Sequence, residues 1–210
     1  MPYLLRIDSS ARRVDSHSRQ LADLIEAEYL NAGPDHAVRR RDLTAEPISH
    51  IEAETITGFY TLEDAMTPAL RAATDQSDSL IAELKGADML LISAPMYNFG
   101  VPSALKAWID QIVRINVTFA YEAGAFQGLV PVRRAVLALA YGAEGYAEGG
   151  EFAPMNFLEP YLVSLLSFLG VSDVTVFRIQ GTTGEVTALD ATKTRLRAEV
   201  QQYFELGVQA

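Results

Sequence analysis

Apolar residues fall along this chain in two alternating rhythms. Short, nearly unbroken runs occur at Tyr3–Asp8, Met89–Ser93, Arg134–Ala140 and Val174–Ile179, with a more polar run at Val38–Leu43. Four to eight residues of this kind, bounded by turn formers, read as strands, and unbroken apolar character marks strands buried on both faces. Between them the spacing changes to three and four. Leu21, Leu24, Ile25 and Tyr29 share one face of a predicted helix over Ser18–Asn31, which Gly33-Pro34 stops. Leu70, Leu80, Ile81 and Leu84 do the same over Thr67–Leu84, ended by Gly86. Further helices are predicted at Ala104–Arg114, Phe157–Leu169 and Leu189–Tyr203, and Thr44–Thr61 reads as irregular, with Pro47 and Gly58 as breakers. Val117–Tyr121 and Gly128-Leu129-Val130, joined through a Gly/Ala turn, read as a hairpin outside this alternation.

Strands alternating with helices of this length imply a parallel sheet covered on both faces. Five such strands in 210 residues suit an α/β, flavodoxin-like, doubly wound sheet of order 2-1-3-4-5, a single domain over 1–210, with the hairpin as an excursion. The six-stranded dinucleotide-binding order predicts G-x-G-x-x-G after the first strand, and that motif is absent.

Ligands of such sheets bind outside the carboxyl ends of the strands. Two loops there carry chemistry. After the first strand, Ser9-Ser10 is followed by Ser16-His17-Ser18 where the helix begins. Unpartnered N–H groups and the helix dipole favour an anion at that point, and gathered hydroxyls add donors. Ser16 alone would serve as an N-cap, but one helix needs one cap. After the third strand comes Ala94-Pro95-Met96-Tyr97-Asn98-Phe99-Gly100, a polar and aromatic loop that has no folding reason to present rings to solvent. A third loop, Ala140-Tyr141-Gly142-Ala143 and the glycine-rich residues beyond, leaves the fourth strand.

Composition narrows the function. The net charge of −10 and pI of about 4.7 argue against nucleic acid or an anionic membrane surface as partner. Arg39-Arg40-Arg41 lies on a predicted edge strand, where charge discourages aggregation. There is no cysteine, so thiolate chemistry and disulfides are excluded. His17, His36 and His50 show no metal-ligand spacing, and there is no G-x-S-x-G elbow or Gly-Lys-Ser/Thr loop. The N-terminus reads as a strand, not a signal peptide, and no run reaches membrane-spanning length, so a cytoplasmic protein is expected. An anion cradle and an aromatic loop without evident catalytic side chains point to a cofactor that carries the chemistry. Trp108 reads as core, while Phe119 and Tyr121 are placed equally by packing or by a ligand or interface.

The serine set, the Met-Tyr-Asn-Phe loop, Leu105-Lys106-x-Trp108-Ile109-Asp110, Gly128-Leu129-Val130, Pro160-Tyr161-Leu162 and Phe168-Leu169-Gly170-Val171 together resemble the FMN-dependent NADH:quinone oxidoreductase/azoreductase family, nearly end to end. The resemblance implies a homodimer with FMN near the subunit interface, NADH or NADPH as donor, a quinone or azo compound as acceptor, and ping-pong two-electron transfer with no catalytic side chain. By position it implies that Ser10, Ser16, His17 and Ser18 hold the phosphate, that Pro95, Met96, Tyr97, Asn98 and Phe99 border the ring, and that Ala140, Tyr141, Gly142 and Ala143 touch its other edge. Asn98, Phe119, Tyr121 and Phe168 would line the substrate pocket. Family members often have Ser-Arg-Gly-Gly where this chain has Ala140-Tyr141-Gly142-Ala143, so a hydroxyl and a cation are lost and a phenol is expected near the flavin. The rival readings are an FMN electron carrier without a small substrate and a hydrolase of the acyl-carrier-protein phosphodiesterase kind.

Overall fold

A computed structural model describes residues 3–207. Its central sheet has five parallel strands: β1 (Tyr3–Asp8), β2 (Ala37–Asp42), β3 (Met89–Pro95), β6 (Arg134–Ala140) and β7 (Asp173–Ile179). Their order is β2-β1-β3-β6-β7, which is the predicted 2-1-3-4-5 once the two hairpin strands, β4 (Phe119–Glu122) and β5 (Ala125–Gly128), are left out of the count. The hairpin forms a separate antiparallel sheet, closed by Ala123 and Gly124, both at positive φ.

Among the described residues six α-helices accompany the strands: α1 (His17–Asn31), α2 (Ala53–Tyr60), α3 (Pro68–Lys85), α4 (Ser103–Ile112), α5 (Glu159–Leu169) and α6 (Val186–Gly207). Alternate strand residues feed two cores. Leu5, Ile7, Leu90, Ile92, Leu137 and Leu139 pack with α3, α4 and α5. Leu4, Met89, Leu91, Val136 and Ala138 pack with α1 and α6. Every residue of β1 is buried, as a central parallel strand requires. Trp108 lies in the first core, as expected.

β2 is an edge strand, and its arginines are engaged structurally. Arg40 pairs with Glu26 and Arg41 with Glu83, and the Arg39 guanidinium lies 4.3 Å from the Tyr3 ring centroid.

The segment read as irregular contains α2. Gly58 stands inside that helix, not at a break. A Cβ there would lie 2.5 Å from Cγ2 of Thr74, so glycine lets α2 lie close against α3. Tertiary contact overrides a poor local propensity. Smaller differences occur at ends. α4 begins one residue earlier than predicted, at Ser103 with Pro102 as its N-cap, and Phe157 lies outside α5 with its ring exposed.

Candidate functional site

The carboxyl ends of β1, β3, β6 and β7 converge on one cavity of about 220 Å³. Ser10, Ser16, His17 and Ser18 line it from the first loop, Pro95, Met96 and Tyr97 from the third-strand loop, and Ala140 and Gly142 from the loop after β6. The sequence reading missed four lining residues: Arg12, Asp15, Thr182 and Thr183. Thr182 and Thr183 follow β7, a strand end that the same positional rule would have marked. Their hydroxyls donate to the carbonyls of Tyr141 and Gly142 at 3.0 and 2.9 Å, tying the last two loops together.

The first loop is built to leave donors free. Asp15, at φ 57°, turns the chain into α1. Ser16 is the N-cap, but its Oγ lies 3.5 Å from the Arg19 N–H, the long limit for a hydrogen bond, and 3.3 Å from Oγ of Ser18. No acceptor is recorded among the described residues for the backbone N–H of His17 or Ser18. One weak cap therefore leaves the positive end of α1 facing the cavity with three buried serines around it. Arg19 braces the loop from behind. It donates to the Ser10 carbonyl at 2.9 Å and to both oxygens of Asp42 at 2.9 and 2.8 Å. Burial works against ionisation of Asp42, but hydrogen bonds from Arg19 and Thr44 outweigh it and hold the carboxyl well below the usual carboxylate range.

The third-strand loop is a tight reversal. Tyr97 and Gly100 exchange both backbone hydrogen bonds, at 3.2 and 3.0 Å, with Asn98 at φ 47° and Phe99 at φ 69° between them. Two positive φ values define a type I′ turn, whose usual occupants are Asn-Gly. Asn98 suits its position. A phenylalanine at positive φ costs about 1–2 kcal/mol and persists only where the surroundings impose it. Among the described residues no acceptor is found for the Asn98 or Phe99 N–H groups. The Tyr97 hydroxyl accepts from the Ala11 N–H at 3.2 Å, which joins this loop to the first.

The other expected residues fall elsewhere. Asn98 lines a larger, more open cavity of about 630 Å³ on the far side of the turn, with Tyr97, Lys106, Phe157 and Tyr161. Phe99 and Ala143 are exposed and line neither cavity. Phe119 and Phe168 pack with their rings tilted by 49° and their centroids 4.9 Å apart, and Phe126 bridges Phe168 and Tyr121. This aromatic group sits where the hairpin meets α5, apart from both cavities.

Tyr141 requires a correction to the expectation of a phenol beside the ligand. Its side chain is 1% exposed and belongs to the core under the loop. The hydroxyl donates to Glu159 at 3.3 Å and accepts from Asn156 at 3.4 Å. Burial, then the charge of Glu159, push its pKa up, so the phenol stays neutral. Glu159 is in turn held by Arg178. Only the backbone of this loop and the small Ala140 and Gly142 reach the cavity, because β6 alternates its side chains and places Tyr141 on the α5 face.

A family described as having a flavodoxin-like fold matches residues 3–204. An FMN-dependent NADH:quinone oxidoreductase from Xanthobacter autotrophicus is 56% identical over 176 residues, 84% of this chain and 85% of the relative. The chain belongs to the FMN-dependent NADH:quinone oxidoreductase family. A second relative of that name, from Beijerinckia indica, is 42% identical over 86% of this chain and 89% of its own. Among solved structures, an azoreductase from Bacillus anthracis superposes with a TM-score of 0.88 over 97% of this chain and 99% of that one, at 22% identity. An FMN-dependent NADH-azoreductase of the same species, in complex with FMN, gives 0.86 over 98% and 99%, also at 22% identity. Those likenesses carry the fold.

Proposed function

We propose that this chain is an FMN-dependent NADH:quinone oxidoreductase. The observation that carries the proposal is the joint placement, at the switch point of the sheet, of an under-capped helix N-terminus ringed by serines and a type I′ turn with free amides. The residues present fit FMN. The N–H groups of His17 and Ser18, with the hydroxyls of Ser10, Ser16 and Ser18, form a phosphate cradle that needs no lysine. The cavity is below the ~300–1,000 Å³ usual for drug-sized ligands, so it suits the phosphate end of the mononucleotide. The ring would be bordered by Met96, Tyr97, Asn98 and Phe99 and, on its other edge, by the backbone of Ala140, Tyr141, Gly142 and Ala143.

Bound there, FMN supplies hydride chemistry between NADH and a quinone or azo acceptor. The chain supplies position and electrostatics. The Asn98 and Phe99 amides offer donors fixed by the turn before any charge develops, so no reorganisation is needed when it does.

The reading extends to a homodimer and a cytoplasmic setting. Phe126 is 63% exposed with Tyr121 exposed beside it, and Phe157 is 64% exposed with the exposed Phe99 beside it. Large apolar side chains grouped in this way mark interaction surfaces. A second copy would bring Phe119, Tyr121 and Phe168 to a substrate pocket that they do not reach within one chain.

The test is direct. The purified protein is expected to be yellow, or to turn yellow with FMN, to bleach with NADH under nitrogen, and to recover its colour with a quinone. Protein that cannot be loaded with FMN refutes the proposal, and a flavoprotein that NADH fails to bleach is an electron carrier instead.

A further inference from the structure

A second cavity, of about 210 Å³, lies on the α1/α6 side of the sheet, beside Ile179 at the end of β7. Its walls are one face of each helix. His17, Leu21 and Leu24 come from α1, and Lys193, Leu196 and Arg197 from α6. Leu21 and Leu24 follow His17 by four and seven residues, and Leu196 and Arg197 follow Lys193 by three and four, so each set shares one helix face. The floor is apolar: Leu21 and Leu196 are buried and Leu24 is half-buried. The rim is cationic.

Three features of that rim call for an anion. Lys193 and Arg197 stand four residues apart on one helix, a repulsive like-charge pair. Neither has a carboxylate partner among the described residues, although the chain carries a net charge of −10 and pairs Arg195, on the same helix, with Glu199. Nδ1 of His17 is buried without any hydrogen-bond partner. A buried polar atom left unpaired is costly unless a ligand or water completes it. Burial, then the charges of Lys193 and Arg12, hold the imidazole pKa below its ordinary value against the pull of Asp15. At neutral pH the ring is therefore uncharged and able to donate from one nitrogen.

We propose that this cleft is a binding site for a small monocarboxylate with a branched aliphatic tail, its carboxylate held by Lys193, Arg197 and His17 and its tail on Leu21, Leu24 and Leu196. The volume admits only a small guest, and the mixed lining selects one that is charged at one end and apolar at the other. Inorganic phosphate lacks the apolar body, and a neutral hydrocarbon leaves the cations unanswered. His17 lines this cleft and the serine-ringed cavity alike, so the two sites are neighbours across the start of α1.

Isothermal titration calorimetry with 4-methylpentanoate tests the assignment, using 4-methylpentanamide as the neutral isostere. The titrations are run on the protein as purified and again with excess FMN, so that the outcome does not depend on the flavin reading. The acid is expected to bind one to one in both, and the amide about tenfold more weakly or worse, since a charge-assisted hydrogen bond is worth at least that factor. The Lys193→Gln/Arg197→Gln double variant should lose binding by a similar factor while its circular dichroism is unchanged, because both side chains stand at the rim. Arg195→Gln, on another face of α6, should bind as wild type. The His17 ring resonances should move with the acid at concentrations that leave them in place with the amide. Equal binding of acid and amide, unaltered binding by the double variant, or no saturable heat in the low-millimolar range would overturn the proposal.

Discussion

Replacing Arg19 with methionine separates the bracing of the first loop from its chemistry. Methionine keeps most of the aliphatic stem and removes the guanidinium, so packing changes little. Three things are lost together: the hydrogen bond to the Ser10 carbonyl, the two-pronged contact with Asp42, and the donor to the Thr44 hydroxyl. The side chains of Arg19 and Asp42 are 13% and 23% exposed, so solvent screens the pair only in part. Removing one partner of a fully buried pair costs about 3–5 kcal/mol, and partial exposure brings the expectation here to about 2–3 kcal/mol. The pH dependence carries the sign. The folded-state pKa of Asp42 is depressed, so its contribution to stability is complete above the unfolded value of about 4 and is lost as pH falls below it. Urea titrations from pH 7 down to pH 3 should show the wild type losing stability over that limb. Arg19→Met should start lower and lose less, and the wild type and Asp42→Asn/Arg19→Met should differ by less than the sum of the single variants. Loosening of Ser10 should also weaken FMN binding about tenfold. An acid limb unchanged by Arg19→Met, together with unchanged FMN affinity, would refute the bracing argument.

Four further outcomes are expected. Asn98→Gly keeps the positive φ without strain, so stability should hold while kcat/KM falls about tenfold if the amide group contacts flavin or substrate; unchanged kinetics would leave that position a backbone role only. Gly128→Ala would place a Cβ 2.2 Å from the Gly170 nitrogen, where β5 lies against the end of α5, and should cost at least about 1–3 kcal/mol by urea titration; a neutral result would contradict the contact. Tyr141→Phe should cost about 1 kcal/mol or less, because both hydrogen bonds of the hydroxyl are long, and should leave turnover at the wild-type level; a large fall in kcat would return the phenol to the flavin. Phe126→Ser should shift a dimer towards monomer in sedimentation velocity and leave the fold intact, since that ring is mostly exposed in one chain; an unchanged profile would place the interface elsewhere.

The sequence by itself determined the parallel sheet, its order and the two loops that carry the candidate site. Unbroken apolar strands such as Met89–Ile92 have one physical solution, burial on both faces, and the period of the helices between them leaves few topologies open. The serines at the start of α1 were legible because a helix needs only one cap. Tertiary structure alone decided the rest. It showed Gly58 as a contact surface between two helices and turned Tyr141 into the core by strand alternation. It also set Asn98 and Phe99 at positive φ and joined His17 to Lys193 and Arg197 across two helices. Local pattern records which face a residue prefers. Which neighbour it meets depends on chain segments that pattern does not connect, and close packing admits only the arrangement in which all of them fit at once.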